Sequence, residues 1–232
     1  MGEDMNYYYP WPREVLAELQ PILTAWSLTP LLHRWYEPAT DEEIEEAQGM
    51  LQRPIPASLK ALYQMSSGAE LLLGNLKIYP LTPTDDSSLS LVTGSSQLRE
   101  WEWLIPDELV IFGNNGSDDL FGLWMPQGIA GKAQIPVIMV GEIFTPRCMA
   151  VVGTSLASFL KAWSAFYIQN DPDDIGDALD ALGVPSELRN WEPDMSALFA
   201  WADPSLPDTN PDPYERGLTA DELRQMYGRT RA

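Results

Sequence analysis

Side chains suited to bond-making chemistry are scarce in this chain. Among its 232 residues there is one histidine, His33, and one cysteine, Cys148. A Ser-His-Asp or Cys-His arrangement needs a base in reach of its nucleophile and a third group to orient the base. His33 stands in an N-terminal segment beside Arg34 and Trp35, and the sequence has no Gly-x-Ser-x-Gly elbow to present a serine. Cys148 opens an apolar run expected to be a strand, so it reads as a buried structural thiol rather than a nucleophile. A zinc site needs several His or Cys ligands, more than this chain holds.

Carboxylates, by contrast, are plentiful, with 34 Asp and Glu against 14 Lys and Arg. Asp208, Asn210 and Asp212 have the odd-position spacing of a calcium loop. That loop would put Pro213 where Gly is required and Thr219 where the bidentate Glu belongs, so the stretch reads as linker. Asp171, Asp173 and Asp174 fail the same test, with Leu182 at the closing position. Asp118 and Asp119 end a run of turn-forming residues, and turn chemistry accounts for them. Gly128-Ile-Ala-Gly131-Lys132 lacks the Gly-Lys-Ser/Thr ending of a phosphate loop. Acidic pairs arise by chance in so acidic a chain, so none is singled out as a hydrolytic pair. The sequence therefore implies no catalytic residue, no metal and no cofactor. A metal-dependent hydrolase on a carboxylate site is the weakest of three functional readings.

The net charge of −20 disfavours nucleic acid and anionic membrane, since phosphate binding needs clustered Lys and Arg. It favours a basic protein partner, captured by electrostatic steering. A single cysteine allows no intrachain disulfide and fits a reducing cytoplasm. The opening MGEDMNYYYPWP has no apolar run of signal-peptide length, and Asn6 stands where a myristoylation motif wants Ser or Thr. No apolar run reaches the length of a transmembrane helix. These features together predict a cytoplasmic protein.

The elements that would position any site centre on residues 40–68. Thr40 and Glu43 form a capping box, and Ile44, Ala47 and Leu51 make one apolar stripe of the helix that follows. Pro54 and Pro56 turn the chain into a second helix with Leu59, Leu62 and Tyr63 on one face, stopped at Ser66-Ser67-Gly68. Ahead of this, residues 13–26 read as a helix kinked or split at Pro21, and residues 28–35 as another helical piece. After it, residues 70–73 and 76–81 pair across Gly74-Asn75, with one face of the hairpin in water. Residues 82–96 form a loop and 97–104 a helical turn. Residues 109–112 and 120–125 form a hairpin around Gly113-Asn114-Asn115-Gly116-Ser117-Asp118. Strands at 135–143 and 148–152 lead to a helix capped by Thr154 or Ser155, with Leu156, Phe159, Leu160, Trp163 and Tyr167 on one side. Strands flanked by helices with short connections predict an α+β fold on a mostly antiparallel sheet. Beyond residue 168 the chain is acidic and Pro-rich, with helices expected at 174–182, 194–201 and 219–227. The expected division is a lead-in over 1–25, a domain over 26–168 and an extension over 169–232.

The order of capped acidic helix, Ile55-Pro56 corner, Leu59–Tyr63 helix, Gly-rich hairpin and closing Ala-Ser-Phe-Leu helix resembles the SUKH superfamily, the Smi–Knr type of cell-wall assembly regulators. The hairpin departs from that family in one place: many members carry an acid at the end of its second strand, where this chain has Trp124-Met125. The resemblance implies a non-enzymatic protein-binding module. In bacteria such modules act as immunity proteins that neutralise a nuclease or deaminase toxin. The alternative it implies is a regulatory scaffold in cell-wall synthesis or signalling. Candidate partner-binding residues are Glu45 and Glu46 on the acidic helix, Trp101 and Trp103, and Asp118 and Asp119 in the hairpin loop. Capping and the helix dipole already account for Glu42 and Glu43.

Overall fold

The computed structural model describes residues 11–83, 88–100, 105–126, 135–141, 147–170, 175–206 and 217–227. Helix α1 (Arg13–Leu28) runs unbroken through Pro21. Proline removes one backbone donor there. The apolar face formed by Leu19, Ile22, Ala25 and Trp26 is fully buried and holds the helix together across that gap. The helical piece expected over 28–35 is instead one 3-10 turn, Pro30–Leu32, and a two-residue strand, β1 (Arg34–Trp35). Pairing of Arg34 with Glu70 and of Trp35 with Ala69 draws that segment into the sheet.

Helix α2 (Asp41–Leu51) begins with the expected capping box. The Glu43 N–H donates to Thr40 Oγ1 at 3.2 Å, and the Thr40 N–H donates to Glu43 Oε2 at 2.7 Å. Helix α3 (Ala57–Met65) follows the proline corner and buries Leu59, Leu62 and Tyr63. The Tyr63 hydroxyl donates to the Tyr79 carbonyl at 2.9 Å, tying the helix to the sheet. The remaining strands are β2 (Ala69–Leu71), β3 (Leu76–Ile78), β4 (Leu109–Asn114), β5 (Leu120–Trp124), β6 (Val137–Val140) and β7 (Met149–Gly153). Helix α4 (Gly94–Glu100) lies between β3 and β4 and starts three residues earlier than the expected turn. Closing the chain are α5 (Leu156–Gln169), α6 (Gly176–Leu182), α7 (Met195–Ala202) and α8 (Ala220–Tyr227).

Among the described residues the seven strands form one antiparallel sheet in chain order, each paired with its sequence neighbour. The fold is α+β, as predicted. Phe112, Phe121, Met139 and Val152 point from the sheet into a core shared with α1, α3, α5, α6 and α7. Phe121, Phe159 and Trp163 lie at its centre, with ring centroids 4.8–5.6 Å apart. The opposite face is also covered. Ile111, Trp124, Ile138, Val140, Met149 and Val151 form a second core with Leu98 of α4 and Leu223 of α8. Covering both faces explains why strands β4 to β7 read as continuous apolar runs. It also limits the expected wet face of the 70–81 hairpin: the cross-strand pair Glu70 and Lys77 is half-exposed, but Tyr79 is buried in the second core.

The chain beyond residue 168 contributes to both cores, with Leu179, Leu182, Leu198 and Phe199 in the first and Leu223 in the second. A buried carboxylate fastens it. Asp203 Oδ2 accepts from the Thr154 N–H (2.6 Å), Thr154 Oγ1 (2.8 Å) and Ser158 Oγ (2.8 Å) at the start of α5. Its Oδ1 accepts from the N–H (3.2 Å) and hydroxyl (2.6 Å) of Ser205.

Candidate interaction surface

The sequence-predicted residues fall in separate places. Glu45 and Glu46 lie on the solvent face of α2 and are exposed, as is Glu42. Asp41, in the first turn, is engaged by Lys60 Nζ at 3.5 Å and Gln64 Nε2 at 2.8 Å. Glu43 is committed to the cap, and the hydrogen bonds from Thr40 hold its carboxyl below the usual carboxylate range. Asp118 is exposed at the tip of the β4–β5 loop. Asp119 is half-buried and accepts from Asn115 Nδ2 at 2.7 Å. Asn115 Oδ1 in turn accepts from the Ser117 N–H at 3.0 Å, so the loop is rigidly self-bonded. Trp101 and Trp103 lie outside the described residues, as do residues 128–132, 171–174 and 208–213. Helix α2 packs on α3, whereas the β4–β5 loop packs against Gly74 and Asn75. The two acidic sites are thus distinct surfaces.

A third feature, absent from the sequence reading, adjoins the β4–β5 loop. Leu31 is 86% exposed and Leu73 is 72% exposed, and the two short turns that carry them are in contact. Leu72 and Leu73 both adopt left-handed backbone, with φ of 55° and 57°. Side chains with a Cβ resist that region, at a cost of about 1–2 kcal/mol per residue. Three contacts over-determine the turn. The Leu72 N–H donates to His33 Nδ1 at 3.4 Å. Asn75 Nδ2 donates to the Leu72 carbonyl at 2.8 Å, and Trp163 Nε1 donates to the Asn75 carbonyl at 2.9 Å. Gly116 also packs against the carbonyl of Gly74, where a Cβ would collide. A strained, firmly held turn that turns a leucine to water is the pattern of an interaction site rather than of a core.

His33 therefore has a structural task. Because Nδ1 accepts from Leu72, Nε2 carries the proton and donates to Thr29 Oγ1 at 3.1 Å. Thr29 Oγ1 in turn donates to the Ala25 carbonyl at 3.0 Å. Burial beside Trp26 and Trp35 pushes the imidazole down from its ordinary 6.5 to about 4. The lowered value favours the neutral ring in the folded chain. Its stabilisation is complete above about pH 6.5 and is lost as the pH falls towards 4. The expected loss is on the order of 2 kcal/mol, after discounting for the partly exposed ring. Urea unfolding at pH 7 and pH 4.5 of the parent and of His33→Gln should show this difference in the parent alone. The lone imidazole proton signal should titrate near pH 4.

Among the described residues no three His, Cys, Asp or Glu side chains converge as metal ligands would. A notch between the end of α2 and α4, bordered by Met50, Arg53, Ser96, Arg99 and Asp107, holds about 130 Å³. That is below the several hundred Å³ of pockets that take drug-sized ligands. Arg99 is already paired with Asp107 at 3.2 Å. No helix among the described residues is long and apolar enough to cross a membrane. The arrangement offers exposed acids and exposed leucines on a rigid frame, which suits protein contact.

Comparison with curated proteins returns no match. The family model described as SMI1 / KNR4 family (SUKH-1) matches residues 38–162, from the lead into α2 through strands β2 to β7 and half of α5. That span is more than half of the chain, and its capping box, proline corner and meander are all present in the structure. This chain therefore belongs to the SMI1/KNR4 (SUKH-1) family.

Proposed function

We propose that the chain is a non-enzymatic protein-binding module of the immunity type. It binds a basic toxin domain, of the nuclease or deaminase class, and keeps it from its substrate in the cytoplasm. The family brings a toxin-immunity or cell-wall-regulator role. The observation that carries the narrower reading is the acidic face of α2, with Glu42, Glu45 and Glu46 all exposed in a chain of net charge −20. A cationic toxin would be steered to such a face, and acids there would stand in for phosphates in its cleft. Leu31 and Leu73 supply apolar contact on a separate surface, beside the β4–β5 loop, and contact of that kind sets dissociation more than association.

The test is capture of the toxin encoded beside this gene, followed by association kinetics. Glu45→Lys with Glu46→Lys should slow association about tenfold at low salt, and the difference should vanish near 0.5 M salt. Neighbouring genes without a toxin, together with an empty pull-down, would sink the immunity reading. The scaffold reading is favoured by one observation, Trp191, which is 80% exposed and lies beyond the family-matched residues. Trp191→Ala should then abolish partner capture, whereas an immunity protein should keep it.

A further inference from the structure

The second face of the sheet is covered in an unusual way. Of the eight residues of α8, only Leu223 is fully buried, while Ala220, Glu222 and Tyr227 are partly so. Its other ties are at the surface. Glu222 meets Arg147 Nη2 at 2.9 Å, and Arg224 binds Glu108 through two bonds of 2.6 and 3.0 Å. Just before the helix, Leu218 pairs with Met149 of the edge strand β7. Exposed ion pairs hold weakly but choose their partners. In the core that α8 helps to cover, the buried indole N–H of Trp124 finds no acceptor among the described residues. A buried donor left unpaired is costly, so this core is not at its most favourable with α8 in place. Strands β4 to β7, which form the face, lie inside the family-matched residues, and α8 lies outside them.

We propose that this face is a helix-docking site. Helix α8 fills it in cis and yields to a partner's amphipathic helix that carries an acid, a leucine and an arginine in succession. The leucine enters the second core as Leu223 does, the acid reads Arg147 and the arginine reads Glu108. A tethered helix competes at a high effective concentration, so the partner's measured affinity is its intrinsic affinity reduced by the fraction of chains with α8 released. Only the source of the displacing helix rests on the protein-binding reading above.

The single cysteine makes this testable in the full chain. Cys148 is buried in the same apolar cluster as Leu223, and burial pushes its thiol up from the ordinary range. Native-state labelling by an aromatic disulfide reagent should proceed through release of α8, with a rate almost independent of low urea. Release of one helix exposes little surface compared with unfolding. Leu223→Glu should raise the labelling rate at least tenfold while the chain keeps its cooperative melt. A synthetic peptide of residues 217–228, GLTADELRQMYG, should slow that rate at least fivefold. The same peptide with Glu in place of its second leucine should have no effect. A parent rate with the full urea dependence of global unfolding would overturn the proposal, and that measurement needs no variant to fold. A Leu223→Glu rate unmoved by the peptide would overturn it as well. Docking of the peptide alongside an empty toxin pull-down would remove the immunity reading and leave this site standing.

Discussion

Asp203→Ala is expected to lower the unfolding free energy by about 3 kcal/mol, a large share of what a domain of this kind holds in reserve. The carboxylate is 5% exposed and accepts from five donors. Removing it strands the Thr154 N–H at the entry to α5, a donor that cannot rotate to another acceptor. The Ser158 hydroxyl escapes more lightly, since it also reaches the Ser155 carbonyl at 3.0 Å. Asp203→Asn keeps the shape but presents an amide N–H to one set of donors, so roughly half of the loss is expected. Urea denaturation at pH 7 measures both, and a loss below 1 kcal/mol for the alanine variant would refute the clamp. The pH dependence has a definite sign. Burial alone would raise the Asp203 carboxyl, but the bonds from Ser205, Thr154 and Ser158 outweigh it and hold the carboxyl below its ordinary value. Its stabilisation is therefore present above the ordinary Asp range and is lost as acid drives the pH down through the lowered value. The parent should show this acid-side loss, and the alanine variant should not.

Gly113→Ala should be nearly as damaging, at about 3 kcal/mol. Gly113 lies opposite Ile78 where β3 meets β4, next to an irregularity in the β4–β5 register. A Cβ there would run into the Lys77 carbonyl, which is backbone and cannot turn aside. The strands would have to part, and β3 and β4 are joined by only two paired positions and the bond from the Tyr79 N–H to the Phe112 carbonyl just beyond them. Gly122→Ala is the control. Its Cβ would meet Leu109 Cδ1 at 2.7 Å and Cγ at 2.8 Å, side-chain rather than backbone atoms of the buried core, so a smaller loss of about 1–2 kcal/mol is expected. Equal costs for the two variants would show that the β3–β4 approach carries no special constraint.

The segments read well from sequence were those whose signals are local. Thr40 with Glu43 and Thr219 with Glu222 each complete a cap within four residues, and both caps form. Ser155 caps α5 and Gly183 closes α6 in left-handed backbone for the same reason. What sequence missed was decided by distant partners. Strand β1 exists because residues 69 and 70 pair with it, overriding a helical reading of 28–35. Tyr79 looked half-wet because the helices that roof its face, α4 and α8, cannot be assigned to it from spacing alone. Of the candidate site, the acids of α2 were legible because helical spacing puts Glu45 and Glu46 opposite Ile44 and Ala47. Leu73 was not legible, because nothing local marks a leucine for left-handed backbone. That conformation is imposed by His33, Asn75 and Trp163, which reach it from three other segments.

The indole of Trp26 donates to Ser164 Oγ at 2.9 Å, across 138 residues of chain. The rest of α1 leans chiefly on α5 and α6, so it docks against helices that follow the whole sheet in the chain. At common elongation speeds the ribosome needs roughly 7–28 s to make that intervening chain. During that interval Leu19, Ile22 and Trp26 lack their partners on α5 and α6, while the meander can assemble strand by strand from neighbours already made. Completion of the first core, and with it any surface that depends on α1, is thus timed by the synthesis of α5 and α6.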